Sequence, residues 1–340
     1  MYEQYWGLRE KPFRKTPDPR YLFLNDSYEE ALERLQFAVE EMELALLTGE
    51  VGSGKTLLTR ALVDKLGERY EIGMILNPRL SPRQFLRTTA AELGVKEPRF
   101  HASDLLDQIH SRLLELDEAG RAALLIVDEA HLIPAKPTFE EIRLLTNFQL
   151  DDRNLIAIVL VGQPELRERL RHRTYRALTQ RIGVAFDLVP LQPEDTRAYF
   201  AHRLQVAGAG RPLFSPDAIE RLHEAAAGIP RVLNQLATQA LLEGMARGAK
   251  QVDAAIVASV ASERDLSAPV GARGSRAWVE WPTRESGRGR RAAPSRLPLP
   301  RQRRKEEQPT SSRRPPSRRS RTTRCFRSTS RRPLPGAASA

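Results

Sequence analysis

The sequence predicts an α/β fold: a doubly wound parallel sheet of five strands, then a small all-α domain and a disordered basic tail. Three observations carry this. Over about residues 27–190, compact apolar runs alternate with amphipathic helical patterns, as expected for strands buried on both faces by crossover helices. After Pro190 the strand patterns stop while the helical ones continue. Beyond about residue 266 the periodicity ends altogether.

The strands are expected at residues 44–48 (LALLT), 72–76 (IGMIL), 123–127 (ALLIV), 156–161 (IAIVLV) and 184–188 (VAFDL). Each is a short apolar run rather than an alternating one, which fits a fully buried strand. Helices are expected between them at 55–66, 82–93, 104–116, 139–148 and 164–170. The second domain, 191–266, reads as helices at 193–206, 216–227, 229–245 and 252–262. Two of these open on a proline, after Gln192 and Ser215, where its missing N–H costs nothing. Residues 1–26, rich in proline and aromatics, read as an extended N-terminal arm lying on the core.

Charge divides the chain sharply. Of 54 Lys/Arg and 43 Asp/Glu, residues 267–340 hold 20 and 4, a net of +16. The first 266 residues therefore hold 34 and 39, a net of −5, and the two parts make the total of +11. A uniformly basic globular protein is excluded. The tail also holds 10 of the 24 prolines, and runs such as RRPPSRRSRTTR have little to bury, which reads as disorder. No stretch reaches about 18 consecutive apolar residues, so no membrane span is expected. The start, MYEQYWGLREKPF, lacks the layout of a signal peptide. The single cysteine, Cys325, allows neither an internal disulfide nor a multi-thiolate metal site. A cytoplasmic chain is expected.

The segment Gly49-Glu50-Val51-Gly52-Ser53-Gly54-Lys55-Thr56 matches G-x-x-x-x-G-K-[ST] fully, between an apolar run and a helical pattern. Glycines there let successive backbone N–H groups turn inward around phosphate oxygens, and the following helix N-terminus adds its partial positive charge. Lys55 is expected to reach the β- and γ-phosphates, and Thr56 to place its hydroxyl on Mg²⁺. The run at 123–127 ends in Asp128 and Glu129. Asp128 is expected to hold the metal, and Glu129 to polarise the attacking water as general base. The letters Asp128-Glu129-Ala130-His131 also spell a helicase motif, but the helical second domain is too small to be a second motor domain. His131 is expected to be a polar residue at a strand–helix junction.

Three further positions have functional and plainer readings side by side. Gln163, after the fourth strand, is either a sensor touching the γ-phosphate or a helix-starting turn residue. Arg181, before the fifth strand, is either an arginine presented to a neighbouring subunit's nucleotide or part of a solvated basic face. Arg171, Arg173 and Arg176 crowd the same segment, so which of the four acts in trans stays open. Arg231, after a Gly-x-Pro turn, is either a lid residue leaning onto the γ-phosphate or an ordinary surface arginine.

With these pieces in order, the chain resembles the P-loop ATPases of the AAA+ class, and more narrowly the general secretion pathway protein A (ExeA-like) family. The segments that carry the resemblance are MYEQYWGLREKPF with TPDPRYLFL, LLTGEVGSGKTLLTRAL, LLIVDEAH, EEIRLLTNF, IVLVGQPELR, LTQRI and GIPRVLNQLATQALL, in order over about residues 1–265. The resemblance implies an ATPase core at 27–190, an α-helical lid at 191–266 and a homo-oligomer. It implies ATP hydrolysis by Lys55, Thr56, Asp128 and Glu129, with Gln163 as sensor one, Arg231 as lid sensor and Arg181 as the arginine acting in trans. It also implies a role in type II secretion, with a membrane or secretion-pathway protein as partner and association with the inner membrane through it. The more distant transposition helper ATPases share the core and act on DNA, which makes a DNA-associated regulator the alternative.

The sequence departs from the family in two places. His131 stands where the family more often has glutamine, and the Arg/Pro/Ser-rich tail stands where secretion members carry a membrane span and a peptidoglycan-binding domain. The tail has three readings: a nucleic-acid-binding arm using arginines on phosphates, a solvated linker, or an out-of-frame translation.

Overall fold

The computed structural model describes residues 1–14 and 18–264. The expectations for residues 267–340, and part of the TPDP segment, lie outside the described residues. In chain order the first elements are α1 (Tyr2–Trp6), α2 (Asp26–Glu40), β1 (Leu44–Gly49), α3 (Lys55–Leu66) and β2 (Tyr70–Ile75). Then come α4 (Pro82–Glu92), α5 (Ala102–Glu118), β3 (Ala122–Val127), α6 (Lys136–Leu145), β4 (Ile156–Gly162), α7 (Pro164–Arg171), α8 (Arg176–Thr179) and β5 (Ile182–Leu188). The helical layer that follows, here called the lid, comprises α9 (Pro193–Val206), α10 (Pro216–Ala226), α11 (Pro230–Ala246) and α12 (Ala254–Arg264).

The five expected runs are the five strands, each within two residues of its expected bounds. They form one sheet in the order β2-β3-β4-β1-β5, every pair parallel. Side chains alternate between two hydrophobic clusters on the two faces. Ala45 and Leu47 of β1 face the cluster that holds α2, α3 and the lid. Leu44 and Leu46 face the other, with α4, α5 and α6. Because both faces are covered, β1 and β4 are buried along their whole length, which is why they read as continuous apolar runs. The edge strand β5 is only partly buried and alternates.

Besides the short α8, which was not expected, three local results differ from expectation. Helix α6 starts at Lys136 rather than 139, because Pro137 sits in its first turn, where proline is preorganised for a helix. Helix α2 was not among the expected elements. It is capped by Asn25, whose side chain accepts from the Tyr28 N–H, and buries Tyr28, Ala31, Leu32, Leu35, Ala38 and Val39 on one face. Third, the N-terminal arm is not extended throughout: Tyr2–Trp6 is helical, and Gly7, at φ +70°, closes that helix.

The arm packs on the lid helices. Trp6 is 3% exposed, and its Nε1 donates to Leu241 O at 2.9 Å in α11. Its ring lies over Gly244, where a Cβ would come within 2.9 Å of it. Arg9 N–H donates to Ala207 O at 2.9 Å, and Arg203 Nη1 donates to Pro12 O at 2.8 Å. Aromatic burial and one satisfied indole donor hold a helix too short to be stable alone. Trp6→Ala should therefore cost about 3–5 kcal/mol of folding stability, read as a lower midpoint in urea unfolding. A loss under about 1 kcal/mol would mean that the arm does not contribute to the lid's core.

Candidate functional site

Parallel strands deliver their carboxyl ends, and the loops after them, to one edge of the sheet. Here β1, β3 and β4 are neighbours, so the loop after β1, the acids after β3 and Gln163 after β4 meet there. Beside them is a cavity of about 1220 Å³ lying between the sheet edge, the arm and the lid, which Glu129 lines but Asp128, Gly49 and Ser53 do not. Its lining includes Gly52, Gly54, Lys55, Thr56, Glu129, Gln163 and Arg231, together with Val51.

The loop is shaped by two left-handed glycines, Gly52 at φ +85° and Gly54 at φ +103°. Both are also approached closely. A Cβ on Gly52 would overlap the Arg231 side chain, and one on Gly54 would lie 3.2 Å from the Tyr28 ring. The Tyr28 hydroxyl donates to Ser53 O, and burial pushes the Tyr28 phenol well above its ordinary value. Lys55 opens α3 and is 8% exposed. Its ammonium donates to Gly49 O at 2.7 Å and Glu50 O at 2.9 Å. Burial lowers the Lys55 pKa, opposed by the nearby carboxylates of Glu129, Asp128, Glu50 and Asp187. A desolvated ammonium at the mouth of a helix N-terminus favours an anionic occupant.

Asp128 is 8% exposed. Its Oδ2 accepts from Thr56 Oγ1 at 3.3 Å, and its Oδ1 accepts from the Glu129 N–H at 2.8 Å. That backbone bond accompanies a left-handed residue: Glu129 sits at φ +50°, a costly conformation for a non-glycine. Its Oε2 is buried without a hydrogen bond, 3.4 Å from His131 Nδ1. The pair Thr56 and Asp128 offers hard oxygen donors. Among the described residues there is no cluster of three or more His, Cys, Asp or Glu able to hold a metal alone. Such a set suits Mg²⁺, which keeps several waters and shares substrate phosphates, and suits zinc poorly.

Gln163 caps α7 ahead of Pro164. Gly162 before it is hemmed in: a Cβ there would meet Leu166 Cδ2 at 2.7 Å. Arg231 is placed by the Gly-x-Pro turn. Gly228, at φ +70°, has no room for a Cβ against the Leu191 carbonyl, Ile229 is the N-cap and Pro230 the first residue of α11. The Arg231 N–H then donates to Gly52 O at 3.2 Å, so the lid helix begins directly on the phosphate loop.

Arg181 is not brought into this cavity. It lies at the surface, with Nη2 donating to Asn147 Oδ1 at 2.8 Å, and Arg171, Arg173 and Arg176 are likewise absent from the lining. Glu50 contributes a carbonyl to Lys55 rather than a wall. Among the lining residues that sequence reasoning missed are Tyr28, Tyr199 and Arg203. Arg203 is buried between the rings of Tyr21 and Tyr199, 5.2 and 4.9 Å from their centroids. The apolar spacing of 28–39 behind Asn25 was the available signal for Tyr28. The other two are fixed by packing between the arm and the lid.

Fold and loop together define the class, a P-loop fold of the AAA+ kind, and the chain belongs to the general secretion pathway protein A family. Residues 40–170 match the AAA domain family. The fold is similar to the Aeropyrum pernix ORC2 protein, solved in ADPNP–ADP complexes (TM-score 0.56, 17% identity, 75% of this chain and 71% of that one). It is also similar to Drosophila ORC bound to DNA (TM-score 0.57, 16% identity, 74% and 64%). Within the class, the chain is a relative of general secretion pathway protein A from Aeromonas hydrophila, 41% identical over 255 residues. That alignment covers 74% of this chain and 46% of the relative, so the chain spans about half the length of the curated protein it matches.

The contact of Gly52 with Arg231 makes a sharp test. Gly52→Ala should destabilise the protein by about 1–3 kcal/mol, from the left-handed backbone and the overlap together. Adding Arg231→Gly, which removes the overlapping side chain, should recover part of that loss in thermal unfolding. Strictly additive losses would show that the two positions do not touch.

Proposed function

We propose that this chain is a Mg²⁺-dependent ATPase that couples its nucleotide state to protein assembly in the general (type II) secretion pathway. The observation that carries the reading is the convergence of Lys55, Glu129, Gln163 and Arg231 on one cavity roofed by the lid. The secretion role rests on the 41% identity to general secretion pathway protein A.

The chemistry follows from the placement. The loop N–H groups and the α3 N-terminus take the phosphates, and Lys55 exchanges its bonds to the Gly49 and Glu50 carbonyls for phosphate oxygens. Thr56 and Asp128 are the residues that would hold Mg²⁺, which supplies neutralisation of phosphate charge. Glu129 accepts a proton from the attacking water. The water oxygen bonds to the γ-phosphorus, the bond from that phosphorus to the β–γ bridging oxygen breaks, and ADP and phosphate result. Gln163 positions the water or the γ-phosphate from the tip of β4. Arg231 links the γ-phosphate to α11, so hydrolysis loosens the lid from the loop.

Arg181, exposed and outside the cavity of its own chain, is the residue we assign to a neighbouring copy's nucleotide, with a homo-oligomer as the working form. Among the described residues no helix is long and apolar enough to cross a membrane, and attachment to the inner membrane is assigned to a protein partner.

Two variants test the assignment. Lys55→Ala should abolish binding of a fluorescent ATP analogue. Glu129→Gln should bind ATP with near-normal affinity while turnover falls by about a hundredfold or more. Normal steady-state hydrolysis by Glu129→Gln would remove Glu129 as the base.

A further inference from the structure

The cycle above gives Tyr28 no task, although it touches the phosphate loop from helix α2. Its ring is 4% exposed and lies over Gly54, where a Cβ would come within 3.2 Å of it. Its hydroxyl donates to the Ser53 carbonyl in a buried contact. Burial raises the Tyr28 pKa, so the hydroxyl keeps its proton and remains a donor at neutral pH.

The neighbouring peptide groups show what this donor does. Ser53 is fully buried, and among the described residues no backbone N–H donates to its carbonyl. The loop's own bonds run elsewhere. The Ser53 N–H donates to Glu50 O at 3.1 Å, and the Leu57 and Leu58 N–H groups donate to Gly54 O at 2.9 and 3.0 Å. No carbonyl of the loop takes the Gly54 N–H. In a trans peptide the C=O and the following N–H point in opposite directions. A donor that holds the Ser53 carbonyl toward Tyr28 therefore holds the Gly54 N–H the other way, unbonded within the loop. Gly54 supplies no side chain to fix that plane. Without the hydroxyl the buried carbonyl loses its donor, and rotation of the peptide in search of another turns the N–H out of place.

We propose that Tyr28 is a positioning residue for phosphate: its hydroxyl sets the Ser53–Gly54 peptide so that the Gly54 N–H is offered to the phosphates of the bound nucleotide. The inference rests on the loop holding phosphate, as in the reading above, and adds that α2 takes part in the cradle through one oxygen atom. Phosphates held by the loop are common to ATP and ADP. The hydroxyl therefore contributes to binding and not to the chemical step.

Binding and turnover of the full-length protein test it. Tyr28→Phe removes only the oxygen and keeps the ring over Gly54. Its affinity for ADP and for a fluorescent ATP analogue should fall about tenfold, the worth of one charge-assisted hydrogen bond. Its kcat at saturating ATP should stay within about twofold of the wild type. Inorganic pyrophosphate, followed by displacement of the analogue, should lose affinity by the same factor. Asn25→Ala removes the cap of the same helix. It should lower the melting temperature while leaving nucleotide affinity within about twofold.

Affinities within about twofold of the wild type in Tyr28→Phe would overturn the proposal. So would a loss for nucleotides with pyrophosphate unaffected, which would put the hydroxyl on the base or ribose instead. An equal loss in Asn25→Ala would overturn it too, since the effect would then be one of helix placement. If the wild type binds ATP but does not turn it over, the hydrolytic reading fails, while the affinities still decide the role of Tyr28. A wild type that binds neither nucleotide nor pyrophosphate would overturn both.

Discussion

The close approach of two side chains to the phosphate loop is the constraint on which the rest of this structure depends. Gly52 carries Arg231 against it, and Gly54 carries Tyr28. Both glycines hold positive φ, so neither a side chain nor an ordinary backbone fits at either point. One contact fixes the start of α11 and with it the lid. The other fixes α2, and with it the face of the sheet that α2 covers. A loop built to surround phosphate is therefore also the joint between three parts of the fold. Any change in its shape has mechanical consequences beyond the binding of its ligand.

The acids at the end of β3 show how strain and function share a residue. Glu129 could relax from the left-handed region only by giving up its N–H bond to Asp128 or by moving its side chain. The Asp128 carboxylate is engaged on its other oxygen by Thr56, so the backbone of one acid is held by the side chain of the other. That arrangement offsets a cost of order 1–3 kcal/mol with a charge-assisted hydrogen bond to a carboxylate that is itself buried. Its product is a carboxylate aimed toward the cavity from a rigid strand end rather than from a flexible loop.

What the sequence reveals and what it hides follow from the range of the forces involved. Strands β1 to β5 are legible because burial on both faces imposes an uninterrupted apolar run, a signal contained within six or seven residues. The phosphate loop is legible for the same reason: its chemistry is local, and glycine at positive φ leaves a residue-level mark. Helix α1 has no such mark, since five residues cannot hold a helix without the docking of Trp6 on Leu241 and Gly244. Helix α2 did carry one, in its Asn25 cap and the spacing from Tyr28 to Val39, but half its residues are polar and its outer face is heavily charged. The meeting of His131 with Gln163 spans 32 residues and arises only because β3 and β4 are parallel neighbours. Composition and periodicity contain no trace of it.

The arm and the lid share one further consequence. The arm's firmest contacts are to lid elements: Trp6 to α11, Arg9 to the end of α9 and Pro12 to Arg203. The Thr238 hydroxyl, also on α11, donates to Phe13 O at 3.4 Å. Residues Met1, Tyr2, Lys11 and Phe13 at the same time line the cavity. A displacement of α11 away from Gly52 must then either break a buried indole hydrogen bond and an aromatic cluster, or carry the arm along. The second course costs far less, because Phe13, Phe200 and Phe214 form a single packed group, with ring centroids 5.1 to 6.0 Å apart, that moves without being taken apart. The lid opening proposed above would therefore withdraw two walls of the cavity together. The N-terminal residues, remote in sequence from the phosphate loop, would then belong to the same moving body as the lid.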